Sequence, residues 1–158
     1  MFYASLKTLH LLSIIVWLGG MVFVQFFLRP AVAKLEAPER VRLMHDVLGR
    51  FFNAVMVAAG LALASGVWMV GRMARQMAQS GVKFNMPIEW MVMALLGVLM
   101  VAIFGHIRFA LYKRLTRAVT AAAWPACGAA LASIRLWVMV NLGLGVVIVI
   151  VTLMGASS

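Results

Sequence analysis

Four stretches of this chain are apolar almost without interruption: Tyr3 to Leu28, Phe51 to Gly71, Ile88 to Ile107 and Leu136 to Met154. A helix of about 20 such residues crosses a hydrocarbon core about 30 Å thick, so each stretch is long enough to span a membrane. The connections between them are short, polar and basic. The pattern therefore predicts an all-α polytopic membrane protein, with four transmembrane helices in an antiparallel bundle and a single domain over residues 1–158. No linker rich in Gly, Ser or Pro divides the chain.

Within this frame the second helix is expected to begin near Pro38, a residue suited to a first helical turn, and to run without a breaker to about Ser80. On its solvated face the spacings Glu36/Arg40 and Arg42/Asp46 predict i,i+4 ion pairs. Ser80-Gly81 and Asn85-Met86-Pro87 predict a turn into span three, where Glu89 favours the positive end of the helix dipole. Ala118 to Ser133 reads as a separate amphipathic stretch on the membrane surface, kinked at Pro125. Small residues at Gly60/Ala64, Ala62/Gly66, Gly143 and Gly145 predict close helix packing, either within the bundle or in a homodimer.

Composition agrees with a lipid-embedded chain: 65% of residues are hydrophobic and mean hydropathy is +1.05, against about 45–50% apolar residues in soluble domains. The first apolar run is longer than the 7–15 residues or so of a removable signal peptide, so it reads as a retained span. The net charge of +10 is spread over the connections and not over a separable domain, which argues against nucleic acid as a partner. Lys7 alone precedes span one; Arg29, Lys34, Arg40, Arg42 and Arg50 follow it; Arg72, Arg75 and Lys83 follow span two; Arg108, Lys113, Arg114, Arg117 and Arg135 precede span four. By the positive-inside rule both termini are periplasmic in a bacterial-type inner membrane, with the strongly basic connections in the cytoplasm. Those connections also attract anionic headgroups of the lipid bilayer.

The chemistry rests on few residues. Cys127 is the only cysteine, so neither a disulfide framework nor a paired-Cys metal motif exists. The acids Glu36, Glu39, Asp46 and Glu89 all sit at helix ends or in connections, and no hydrolase constellation is present. Polar residues within the spans fall at two depths. The inner level collects Gln25, Arg29, His45, Asn53, His106, Arg135 and Asn141; His45 and His106 could clamp a b-type haem while Arg29 or Arg135 neutralises its propionates. Alternatively, His45 is solvated among Arg42, Asp46 and Arg50, and His106 is an interfacial residue.

The outer level joins His10 to Met69, Met73 and Met77, followed by Met86, Met91 and Met93. Imidazole with thioethers suits Cu(I), and one Met with one His suits a haem iron; Met is equally a filler of helical cores. For His10 itself the alternative is a neutral imidazole bonded to Ser13, to a backbone carbonyl or to a neighbouring helix. Ionisable groups inside membranes are functional by default, which makes His10 the first residue to explain. His10 and His106 lie near opposite faces and should not share one haem.

The pattern Lys7-x2-His10-x6-Trp17-x-Gly19-Gly20 resembles the first helix of CopD-like membrane proteins and of the related HemJ-type protoporphyrinogen oxidases. Arg50-Phe51-Phe52 leading to Gly60 and Ser65-Gly66, and Arg135 with Asn141-x-Gly143-x-Gly145, resemble the second and last CopD helices. The HemJ likeness implies b-type haem, a first-helix histidine that matters for it, and electrons passed to the respiratory chain. The CopD likeness implies copper uptake or tolerance. Span four lacks the Asn-Glu-x-Pro motif of HemJ-type proteins, having Leu142-Gly143-Leu144 after Asn141, so the oxidase activity is not carried over. The leading expectation is a membrane redox protein that binds haem through histidines and exchanges electrons with a quinone or respiratory-chain component. A copper-handling protein using His10 and the methionines is the alternative, and an accessory scaffold is the third.

Overall fold

The computed structural model describes residues 2–81 and 88–155, and within them the chain forms four long helical rods. The first, α1, is α-helical over Phe2–Val22, passes through a π-helical segment at Phe23–Leu28 and regains α geometry over Arg29–Val32. The second, α2, is one unbroken helix, Ala37–Gln79. The third, α3, runs Ile88–His106, through a π-helical Ile107–Leu111, to Tyr112–Thr120. The fourth, α4, is Trp124–Gly155. Lys83 and the Asn85-Met86-Pro87 part of the expected turn lie outside the described residues.

Cross-helix contacts fix the arrangement. His10 meets Ala62 and Ser65 of α2 while Gly20 meets Phe51, so α1 and α2 run antiparallel. His45 reaches Thr116, and Phe52 packs on Phe104, which makes α2 and α3 antiparallel as well. Leu18 lies against Gly145, and Gln25 and Arg29 reach Arg135 and Leu131, closing the ring between α1 and α4. Each rod thus neighbours two antiparallel partners in an up-down-up-down bundle.

The core is a single cluster in which α2 contributes Val41, Met44, Leu48, Phe52, Val55 and Ala59 at steps of three and four residues, the spacing that keeps one helical face inward. Trp17 and Phe52 both meet Phe104 edge-on, with ring centroids 5.9 and 6.1 Å apart. Large apolar side chains such as Leu11, Ile15, Val57, Val67, Leu95 and Leu136 are exposed, as expected where lipid is the solvent. Two glycines admit close neighbours: a methyl group at Gly20 would run into the Phe51 ring, and one at Gly49 into the Tyr112 hydroxyl. The Ala62/Gly66 face is the one used against α1, with Gly66 set beside the His10 ring, whereas Gly60 faces open space.

The rods outrun the apolar spans. At 1.5 Å per residue, the 43 residues of α2 extend about 65 Å, roughly twice the hydrocarbon thickness. The expected start at Pro38 and end near Ser80 are observed; Pro38 lies in the first turn and Gly81, with φ of +70°, follows the last. Three local expectations are corrected. The stretch Ala118 to Ser133 is not one surface helix: α3 ends at Thr120, the chain reverses through Ala121–Ala123, and Pro125 opens α4 at its second residue instead of kinking a helix. Neither Glu36/Arg40 nor Arg42/Asp46 forms an ion pair among the described residues. Arg42 instead lies over the Trp124 ring at 5.8 Å, and Asp46 faces its neighbour His45 at 3.5 Å.

Candidate functional site

At the end of the bundle away from the tight connections, the ring of His10 projects from α1 onto the small-residue face of α2. Its Nδ1 lies 3.0 Å from the Ala62 carbonyl and 3.0 Å from the Ser65 hydroxyl. A carbonyl can only accept, so Nδ1 carries the proton. Ser65 takes the acceptor role too, because its own proton goes to the carbonyls of Leu61 and Ala62, at 2.6 and 3.1 Å. In the neutral ring the lone pair then resides on Nε2, which makes no hydrogen bond among the described residues. An Nδ1–H tied to a backbone carbonyl fixes the ring orientation and leaves Nε2 as the nitrogen that can bind a metal. Ser13, the nearby partner expected from the sequence, bonds instead to the Leu9 carbonyl in its own helix at 2.9 Å.

Ser65 also marks where the fully buried face of α2 stops. Beyond it, Met69, Met73 and Met77 continue the same stripe at four-residue steps and are half-buried, while Arg72 and Arg75 are exposed on other faces. Successive sulfur-bearing residues stand one turn apart, about 5–6 Å. Met86 lies outside the described residues.

The inner-level residues are dispersed over several separate contacts. His45 Nε2 is 3.0 Å from Thr116 Oγ1, and its ring stacks on Tyr112 at 5.1 Å with the planes 7° apart. The Tyr112 hydroxyl donates back to the His45 carbonyl at 3.1 Å. His106 meets a different neighbour, the edge of Trp137, at 5.4 Å. Phe52 and Phe104, both buried, occupy the core between the helices that carry these histidines. His45 and His106 are thus not brought to face one another, and the arrangement does not fit a haem clamped between them. Asn53 accepts from Arg108 at 3.1 Å, Gln25 donates to the Arg135 carbonyl at 2.9 Å, and Arg29 donates to the Leu131 carbonyl at 3.1 Å. Asn141 is 1% exposed, and its amide oxygen has no partner among the described residues.

The crossing of Leu18 with Gly145 gives a depth scale. His10 lies eight residues from it in one direction and Trp137, the neighbour of His106, eight in the other, so His10 and His106 are about 24 Å apart along the bundle. They serve different ends of the molecule.

Sequence reasoning missed the partners of these residues more than the residues themselves. Ser65 and Ala62 were visible as small residues, but their pairing with His10 spans more than fifty positions and has no local signal. Tyr112 and Thr116, which hold His45, were hidden in what read as a basic connection.

A family model described as copper resistance protein D matches residues 45–154, which takes in α2 from His45 onward with its methionine row, α3 and α4, and leaves α1 with His10 outside the match. No curated protein and no solved structure matches the chain.

Proposed function

We propose that this chain, which belongs to the copper resistance protein D (CopD) family, passes Cu(I) across the membrane by way of His10 and the methionine row of α2. The observation that carries the reading is the His10 tautomer: with Nδ1–H held by Ala62 and Ser65, Nε2 is left with a lone pair for a soft cation. Met77, Met73 and Met69 supply thioethers at one-turn intervals leading to it, so that the ion, as cargo, exchanges between ligands of similar softness. The distribution of Lys and Arg supports an orientation with both termini periplasmic and the ion entering from that side. The uncovered stripe at Gly60 and Ala64 supports contact with a second copy in a homodimer.

The test is titration of purified protein with Cu(I) against a colorimetric chelator under reducing conditions. The wild-type chain is expected to compete for the ion, and His10→Ala and the volume-conserving Met69→Leu/Met73→Leu/Met77→Leu variant to bind it more weakly. Wild-type protein that takes up no Cu(I), or a triple variant that binds it unchanged, would overturn the reading. The same Nε2 would also serve to hold a b-type haem, which would supply electron exchange with a quinone or respiratory-chain component. Sharp reduced-minus-oxidised absorbance bands that vanish in His10→Ala would put haem in the place of copper.

A further inference from the structure

The end of the bundle that carries the tight connections holds a cavity of about 360 Å³ that the copper reading does not use. Three guanidinium groups line it: Arg29 from the last turns of α1, Arg40 from the first turn of α2, and Arg135 from α4. No carboxylate does; Glu36 and Glu39, the nearest acids in sequence, are exposed and lie outside its lining. No carboxylate among the described residues lies within ion-pair distance of any of the three arginines; the one acidic contact of that kind is Asp46 beside His45. Arg29 spends one terminal nitrogen on the Leu131 carbonyl, while its Nε is buried without a partner. Like charges converging on one cavity with an unsatisfied donor is a costly arrangement unless an anion joins them.

Backbone charge has the same sign. The first residues of α2 and α4, Ala37 and Trp124, both line the cavity, so the positive ends of two helix dipoles point toward it. The remaining wall is apolar, with Val32, Val41 and Leu131 among its residues. Depth selects the kind of anion. Arg29 comes within two turns of the exposed Phe23, Phe26 and Phe27, side chains suited to acyl chains, and Trp124 is of the type that gathers at headgroup level. A guanidinium cluster just past the end of the hydrocarbon-facing surface, with an apolar wall, matches a lipid phosphate and its first acyl carbons.

We propose that this cavity binds the phosphate of an anionic phospholipid headgroup, held by Arg29, Arg40 and Arg135 at the membrane surface. The proposal is independent of the copper reading, since no residue of the His10 site takes part.

The experiment uses the full chain in a neutral detergent, with bound lipid counted by native mass spectrometry as phosphatidylglycerol, phosphatidylcholine or inorganic phosphate is added. Wild-type protein is expected to retain one phosphatidylglycerol in preference to phosphatidylcholine. Arg29→Gln/Arg135→Gln should weaken that retention by about thirtyfold, the factor that two basic residues contribute at a membrane surface. Arg72→Gln/Arg75→Gln, which removes the same charge at the other end, should leave it unchanged. Equal retention of the two lipids by the wild-type chain overturns the proposal without recourse to any variant. So does a preference that survives in Arg29→Gln/Arg135→Gln or is lost equally in Arg72→Gln/Arg75→Gln. If inorganic phosphate displaces phosphatidylglycerol at matched concentration, the site belongs to a soluble anion and the lipid assignment falls.

Discussion

Ser65 gives its own proton to the carbonyls of Leu61 and Ala62 and so meets the His10 ring purely as an acceptor. That small fact has a measurable consequence. In Ser65→Ala, one of the two acceptors of Nδ1–H is lost while the Ala62 carbonyl remains, so the ring keeps its place with less orientation. A neutral hydrogen bond of this kind contributes about 0.5–1.5 kcal/mol, so the protein should stay folded with a slightly lower thermal midpoint. Cu(I) affinity should fall by about tenfold, the lower end of the range for losing an outer-shell partner of a ligand. Unchanged affinity in this variant would disconnect Ser65 from the metal site. At the same scale, Asn141 is a buried polar residue whose amide oxygen has no partner among the described residues.

Among the elements, α2 was the most legible in the sequence. Pro38 and Gly81 punctuate its ends and nothing between them breaks a helix, so its whole length follows from local chemistry. The ends of α3 and α4 were less legible, because Arg108 to Arg117 reads as connection and Ala118 to Ser133 as a separate surface stretch when hydropathy alone is followed, yet α3 runs on to Thr120 and α4 already starts at Trp124. The π-helical turns at Phe23–Leu28 and Ile107–Leu111, which contain Gln25 and Arg108, leave no mark in composition at all. The reversal between α3 and α4 depends on Ala122, whose φ of 50° lies in the left-handed region. It closes with Ala122 N–H bonded to the Val119 carbonyl and Ala123 N–H to the Ala118 carbonyl, a Schellman arrangement usually built around glycine. Ala122→Gly should therefore stabilise the protein by about 1 kcal/mol, read as a higher midpoint in thermal unfolding in detergent. A lower midpoint would show that the turn is held by something other than its backbone geometry.

For the whole molecule, the sequence supplied the number of rods and their antiparallel order, because apolar run length and short connections leave few other solutions. It could not supply which rod faces which polar partner, and so the inner residues, grouped by depth alone, separate in space into the contacts of His45, His106, Asn53 and Gln25. Orientation in the membrane belongs to this scale as well. Cysteines placed at Lys34 and at Ser80, in a background with the buried Cys127 replaced by Ala, should react with a membrane-impermeant maleimide from opposite sides. Ser80→Cys is expected to label in intact cells and Lys34→Cys only after the membrane is opened. The reverse pattern would invert the direction proposed for copper.

The π-helical segments in α1 and α3 carry one more consequence. Each interrupts the even ladder of a rod near the basic end. The two π-helical segments thus give α1 and α3 a fixed phase change near the basic end, so that the residues after them, Arg29 and Tyr112 among them, face directions that a uniform α-helix would not give.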